Sequence, residues 1–181
     1  MKISKFVIWL MLYSSVAVAD DVVIGANLAL TGKFAFSGTA QLNGLKLAVE
    51  KINREGGING NTLSLNVEDN GGDPKQAVSS IRLQLGNRGA RIFYIGLTHI
   101  VQALKGPLTD SGALVVYGAG VAEPAVANRF FFRDWGDAGR EGEILARSVS
   151  QAKKSSTVYL GEENEACNSL RISYPSSIYS D

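Results

Sequence analysis

The side chains that most often perform chemistry in enzymes are scarce in this chain. His99 is its only histidine and Cys167 its only cysteine. A Ser-His-Asp triad would have to use His99, and the sequence contains no Gly-x-Ser-x-Gly nucleophile elbow. No cationic cluster that would activate a thiol surrounds Cys167 in the sequence, so we favour a bystander over a reactive cysteine. We therefore predict that the protein is not an enzyme.

The carboxylates and glycines do not predict a metal or cofactor site either. The spacing of Asp69 and Asp73 suggests calcium, but the segment lacks the glycine and the glutamate of an EF-hand loop. A turn is the better interpretation. No group of histidine, cysteine and carboxylates has zinc-like spacing. The segment Gly25–Leu30 lacks the Gly-x-Gly-x-x-Gly pattern of a dinucleotide site. We predict no cofactor and no metal.

The first nineteen residues have the organisation of a cleaved secretory signal. Two lysines precede an apolar stretch, Phe6–Tyr13, which is followed by the small-residue pattern Ala17–Ala19. The apolar stretch is too short to span the roughly 30 Å of a membrane core. We predict cleavage between Ala19 and Asp20, and a mature protein in the periplasm or elsewhere outside the cytoplasm.

Charge and composition restrict the partners. The formal net charge of the chain is +1, and loss of Lys2 and Lys5 with the signal leaves −1. A nearly neutral protein has no electrostatic attraction to nucleic acid or anionic lipid, so we predict no nucleic-acid partner. The hydrophobic share of 45% is sufficient for a packed core in one ordinary domain.

Apolar runs typical of strands alternate with helical patterns along the chain. The predicted strands are Val22–Gly25, Leu63–Val67, Ile92–Gly96, Leu114–Tyr117, Phe130–Arg133 and Thr157–Leu160, and the helices lie near 42–55, 74–85, 100–110 and 137–152. This alternation predicts an α/β fold in which helices cover both faces of a parallel sheet. Ser37 or Thr39 would cap the first helix, and Asp73 with Pro74 would open the second.

The same architecture predicts where a ligand would bind. In open parallel sheets, ligands bind beyond the carboxyl ends of the strands. The loops that begin at Ala29, Gly96 and Gly118 are therefore the candidate binding loops.

Several short motifs occur in an order and spacing that match a known family. They are Thr31-Gly32, Asn43-Gly44, the segment Ile52–Gly60, Asp69, and the segment Asp73–Ala77 with the sequence Asp-Pro-Lys-Gln-Ala. Together they resemble the leucine/isoleucine/valine-binding family of periplasmic solute-binding proteins, the receptors of branched-chain amino acid ABC importers. The resemblance covers about Asp20 to Leu160.

The resemblance implies a type 1 periplasmic-binding-protein fold, in which two α/β lobes close on a solute. Family members are roughly twice this length, so we expect a truncated chain. Residues 1–19 would be the signal peptide, 20–122 a partial N-terminal lobe, 123–160 a partial crossing into the second lobe, and 161–181 an out-of-family tail. A frameshift or truncation would explain the tail, and a short divergent protein is the alternative.

Binding residues follow from the resemblance for the two later loops. Thr98 is the expected contact for a solute carboxylate, and a helix N-cap is its alternative role. Gly120 matches the position whose carbonyl binds the solute ammonium. Ala122 matches a position that often carries a contacting threonine and has lost that hydroxyl. An ordinary glycine-rich turn is the alternative for this second loop.

The first loop departs from the family. Ser37 matches the position of an aromatic residue that flanks the ligand, so that wall of the site would be missing. Phe34 and Phe36 are candidates to replace it, although packing on the lobe is the more common role. His99 is a candidate for ligand contact or pH response, with a plain surface or cap histidine as the favoured alternative.

The resemblance implies a binding protein for a small solute, an amino acid or an analogue, which it delivers to an ABC permease in the membrane. The alternative is the ligand-binding domain of a sensor with the same fold.

Overall fold

The computed structural model describes residues 21–86, 89–121 and 123–151 of the 181-residue chain. The strands are β1 (Val22–Leu28), β2 (Leu63–Asp69), β3 (Ile92–Gly96), β4 (Leu114–Gly118) and β5 (Phe131–Arg133). The helices are α1 (Ala35–Arg54), α2 (Pro74–Gly86), α3 (Thr98–Ser111), α4 (Glu123–Ala127) and α5 (Ala138–Gln151), and a 3-10 turn at Gly32–Phe34 precedes α1. None of these helices combines the length and apolar character needed to cross a membrane.

Part of the sequence-based interpretation concerns residues outside these ranges. The residues concerned are the signal segment 1–19 with its cleavage between Ala19 and Asp20, Ala122, the predicted strand 157–160, and the tail 161–181 with Cys167.

The five strands form one parallel sheet in the order β2-β1-β3-β4-β5. This confirms the predicted α/β class. The chain moves from β1 to β2 on one side and then crosses back to β3 on the other. The strand order therefore reverses between β1 and β3, which is where open parallel sheets form a ligand crevice. The last strand, β5, pairs with β4 and extends the same sheet to Arg133.

The larger core packs α2 and α3 against one face of the sheet. Phe93, Ile95, Val115 and Tyr117 are fully buried there. Tyr117 also organises the backbone that follows its strand. Its hydroxyl donates to Val121 O and accepts from Ala125 N, each at 3.1 Å. The ring of this buried tyrosine thus stabilises the core while its polar tip fixes the loop after β4.

A buried polar network joins β1 to α2. Asn27 Nδ2 donates to Ser80 Oγ at 2.7 Å and to Gln84 Oε1 at 3.3 Å. Asn70 Nδ2 donates to Asn27 Oδ1 at 2.9 Å, and Gly72 N donates to Asn70 Oδ1 at 2.8 Å. Since a buried amide is costly without partners, these bonds fix the loop after β2 in one conformation.

Two predictions about the helix starts have different outcomes. Asp73 caps α2 as expected, because its Oδ1 accepts from Gln76 N at 2.8 Å. The predicted caps of the first helix are wrong. The helix α1 begins at Ala35, so Ser37 and Thr39 both lie inside it. The reason is the preceding 3-10 turn, in which Ala35 N already donates to Gly32 O.

Candidate functional site

An open cleft of about 330 Å³ lies at the carboxyl ends of β3 and β4. Small-molecule sites typically measure about 300–1,000 Å³. Four segments of the chain line it, and the lining residues are Ser37, Gln41, Leu97, Thr98, Gly118, Ala119, Gly120, Trp135, Gly136, Ala138 and Glu141. The structure therefore brings Ser37, Thr98 and Gly120 together at one cleft, whereas Ala122 lies outside the described residues. Their role as ligand contacts stays a prediction.

Two glycines that are paired across the sheet make room for the Gln41 amide in this cleft. Gly96 of β3 and Gly118 of β4 are register partners. A Cβ at Gly96 would lie 2.4 Å from Gln41 Oε1, and one at Gly118 would lie 3.1 Å from Gln41 Nε2. The amide of Gln41 therefore lies over both strand ends and offers a donor and an acceptor to the cleft.

A tyrosine and a carboxylate connect β3 to the segment that follows β5. The Tyr94 hydroxyl donates a hydrogen bond to the Asp134 carboxylate. A Cβ at Gly118 would lie 3.0 Å from Tyr94 Oη and 3.3 Å from Asp134 Oδ1. Burial is the main cause that raises the pKa of Tyr94 above its usual value, and the charge of Asp134 adds to it. Tyr94 thus remains a protonated donor at physiological pH.

The N-terminus of α3 supplies backbone donors at the cleft. Leu97 occupies the cap position with a φ of +68°, and no side chain caps this helix. The alternative that Thr98 is the N-cap is therefore wrong, because Thr98 is the first helical residue. The first bond of the helix runs from Val101 N to Leu97 O at 3.0 Å. The N–H groups of residues 98–100 precede that bond, and such groups favour an anion.

The Thr98 hydroxyl makes no hydrogen bond within the described residues. It lines the cleft beside these N–H groups. This position makes it available to a ligand.

Gly120 links the loop after β4 to the start of α5. Its carbonyl accepts a hydrogen bond from Ala138 N at 3.1 Å. A carbonyl oxygen has two lone pairs, so one remains for a solute. The carbonyl that the resemblance assigns to an ammonium is therefore already partly used within the fold.

The aromatic residues near Ser37 lie outside the lining of the cleft. Phe34 packs on the neighbouring loops, with its ring centroid 5.5 Å from that of His99. A Cβ at Gly72 would lie only 2.8 Å from Phe34 Cδ2. Phe36 is exposed. Phe34 thus packs on the lobe, as we favour from the sequence, and does not form a wall of the ligand site. Among the described residues, the aromatic side chain that lines the cleft is that of Trp135.

His99 participates in the same loop contacts. Its Nε2 lies 3.0 Å from Gly72 O. The ring is exposed and does not line the cleft. This arrangement corresponds to the favoured surface role rather than to ligand contact.

Asp69 organises the turn after β1. Its Oδ1 accepts from Leu30 N and from Gly71 N, each at 2.8 Å, and its Oδ2 accepts from Thr31 Oγ1 at 2.7 Å. Partial burial raises the pKa of Asp69, but the bonds from Thr31, Gly71 and Leu30 outweigh it and hold the pKa below its usual value. Of the two carboxylates whose spacing suggests calcium, Asp69 thus stabilises a turn and Asp73 caps a helix.

Asp137 has a similar role at the start of α5. Its carboxylate forms an ion pair with Arg133 and accepts from Arg140 N at 2.9 Å. The hydrogen bond from Arg133 is the main cause that lowers the pKa of Asp137, followed by the bond from Arg140. These bonds fix the turn between β5 and α5.

A second depression measures about 530 Å³, but its described lining comes from α5 and the adjacent Asp137 alone. It borders no strand end. We therefore assign the candidate site to the smaller cleft, where four segments and the sheet converge.

The sequence analysis missed five of the lining residues, namely Gln41, Trp135, Gly136, Ala138 and Glu141. Gln41 lies one helical turn after Ser37 and thus shares its face. Trp135 is 63% exposed although it is large and apolar, but the sequence pattern alone does not show exposure. Glu141 reaches the cleft only because the turn after β5 directs α5 towards it.

Comparisons with known proteins agree with this architecture. A family model described as a periplasmic binding protein matches residues 21–177. The Leu/Ile/Val-binding protein homolog 3 of Brucella melitensis is 33% identical over 81% of this chain, which corresponds to 40% of that protein. The leucine-, isoleucine-, valine-, threonine- and alanine-binding protein of Pseudomonas aeruginosa is 30% identical over 77% of this chain and 38% of its own length.

Solved structures show the same fold. A branched-chain amino acid transporter substrate-binding protein from Streptococcus pneumoniae, in complex with isoleucine, has a TM-score of 0.70 and 21% identity over 86% of this chain and 47% of its own. An ABC transporter solute-binding protein from Rhodopseudomonas palustris, in complex with 3,4-dihydroxybenzoic acid, has a TM-score of 0.81 and 15% identity over 88% of this chain and 44% of its own. The chain spans less than half the length of these proteins.

Proposed function

This chain belongs to the periplasmic binding protein family, and from that premise we propose that it is the solute-binding component of a branched-chain-amino-acid-type ABC importer. It would work outside the cytoplasm, bind an amino acid or a related small solute, and deliver it to a membrane permease. The named relatives that bind leucine, isoleucine and valine support the solute class.

The cleft at the ends of β3 and β4 is the observation that carries this proposal. It combines N–H groups at the start of α3, the Thr98 hydroxyl and the backbone of Gly118–Gly120. Small residues permit a ligand to approach the backbone closely, and helix N-termini favour carboxylates. This set of groups suits an α-carboxylate. The arrangement binds and orients a solute, and the proposal involves no bond making or breaking.

In this family-based mechanism, the solute would be held between two lobes that close by a hinge motion. The segment from Asp134 to Ala138 joins β5 to α5 along the cleft. It would belong to the connection between the lobes. Because the chain spans about 40% of its curated relatives, most of the second wall of such a site belongs to the part of those proteins that this chain does not match.

A binding experiment tests the proposal. The chain that begins at Asp20 would be screened against the twenty amino acids by saturation-transfer difference NMR, which detects weak ligands. We expect binding of one or more aliphatic amino acids with millimolar affinity, because one lobe buries only one side of a solute. Replacement of Thr98 by Val should weaken that binding. Absence of binding by every amino acid would contradict the proposal, and micromolar binding would contradict the expected need for a second lobe.

A further inference from the structure

The charge in the cleft is negative. Glu141 is the one ionisable side chain among the described lining residues. A second carboxylate, that of Asp134, lies beside the lining residue Gly118. Within the described part of the chain, no lysine or arginine lines the cleft to neutralise them.

Glu141 lies in the first turn of α5 but is not the residue that caps this helix. Carboxylates in the first turn of a helix often cap it or interact with its dipole. In α5, Asp137 already accepts the hydrogen bond from Arg140 N and pairs with Arg133. The side chain of Glu141 forms no hydrogen bond or ion pair with any described residue. Among the described residues, none therefore competes with a ligand for its carboxylate.

The neighbouring glycine permits the position of this carboxylate. A Cβ at Gly136 would lie 2.3 Å from Glu141 Oε1. The carboxylate thus lies directly over the backbone of Gly136, and both residues line the cleft. A side chain at position 136 would displace it.

We propose that Glu141, together with Asp134, makes this cleft selective for solutes that carry a cationic group and against carboxylic acids that lack one. The inference rests on the proposed solute-binding function. The N-terminus of α3 would receive the solute carboxylate, and Glu141 its ammonium group. The Gly120 carbonyl, which already accepts from Ala138 N, is then an auxiliary acceptor.

The physical reason is the difference in charge between two kinds of solute. An ammonium group forms charge-assisted hydrogen bonds with a carboxylate, and these are stronger than neutral ones. A monocarboxylate without an amine would bring a further negative charge towards Glu141 and Asp134. Since Glu141 is exposed, we expect its contribution to be about two- to fivefold in the dissociation constant.

A matched pair of ligands tests the inference. L-leucine and 4-methylpentanoate share their carbon skeleton and carboxylate, and only leucine has the ammonium group. Dissociation constants for both would be measured by saturation-transfer difference NMR on the chain that begins at Asp20. The variant Glu141→Gln removes the charge, and Glu143→Gln is the control. The Glu143→Gln substitution removes the same charge from the same helix, but Glu143 lies outside the cleft lining.

The outcomes separate this inference from the proposed function. We expect leucine to bind more tightly than 4-methylpentanoate, and Glu141→Gln to weaken leucine binding while Glu143→Gln does not. Equal binding of the two ligands, or no effect of Glu141→Gln on leucine, would overturn the inference and leave solute binding intact. Failure of both ligands to bind would overturn the proposed function and the inference with it.

Discussion

At the scale of single residues, the loops around the cleft depend on side chains that satisfy backbone groups. Asp69 is the clearest case, because one carboxylate accepts bonds from Leu30, Thr31 and Gly71. It holds the loop after β1 against the loop after β2. The resulting backbone then continues into the 3-10 turn and α1, which brings Ser37 and Gln41 to the cleft.

The lowered pKa of Asp69 predicts a pH-dependent stability. Because the pKa of Asp69 is lower in the folded protein than its ordinary value of 3.8, the Asp69 carboxylate stabilises the fold above that pH. This stabilisation is lost as the pH falls through the folded pKa. Asp69→Asn keeps one acceptor oxygen and loses the charge, so it should lower the free energy of unfolding by about 1 kcal/mol at neutral pH.

Urea unfolding at pH 7 and pH 3 measures this effect. The difference between the original protein and Asp69→Asn should shrink at pH 3. Asp110→Asn is the control, since Asp110 is exposed. An equal difference at both pH values would show that the charge of Asp69 is not responsible.

At the scale of elements, α1 contains two glycines in opposite environments. A Cβ at Gly38 would lie 1.9 Å from Ala29 O, whereas one at Gly44 would meet nothing within 4 Å. Gly38 therefore permits the close approach of α1 to the loop after β1, and backbone atoms cannot move aside easily. Gly44 serves no such contact within the described structure.

These environments predict opposite effects of the same substitution. Gly38→Ala should lower the free energy of unfolding by about 3 kcal/mol, because the helix must shift away from the loop. Gly44→Ala should raise it by about 0.5–1 kcal/mol through higher helix propensity. Thermal or urea unfolding of the two variants checks this. Similar effects of both substitutions would show that the contact at Ala29 is unimportant.

The elements also show how far the sequence predicts this structure. The strands β1, β3 and β4 are apolar runs, so their positions and the α/β class were predictable from local patterns. The start of α1 was not, because the 3-10 turn depends on contacts with the distant Gly72 and Asp69. Likewise, the strand ends indicated the loops that begin at Gly96 and Gly118, and the family resemblance selected Thr98 and Gly120 within them. Glu141 could not be found this way, since its position depends on the turn fixed by Arg133 and Asp137.

At the scale of the whole molecule, the sheet ends at a short and partly apolar edge. The strand β5 has three residues, and among the described strands it pairs only with β4. Large apolar side chains are exposed on it and beyond it, namely Phe132, Trp135, Ile144 and Leu145. Unpaired strand edges and exposed apolar groups favour association.

We predict that the chain beginning at Asp20 self-associates as its concentration rises. Phe132→Thr keeps the preference for a strand and removes the exposed ring, so it should lower the average mass measured by light scattering after size-exclusion chromatography. Leu47→Gln is the control, because Leu47 is also exposed but lies on α1. A monomer at all concentrations, or an equal effect of both variants, would contradict a role for this edge.

The strand order has a further consequence for how the protein is made. The strand β1, which lies closest to the N-terminus, is flanked by β2 on one side and β3 on the other. As the chain emerges N-terminus first, each later strand meets a neighbour that has already been synthesised. The sheet is thus able to grow outwards from its first strand during synthesis, and β5 is the last of the described strands to join it.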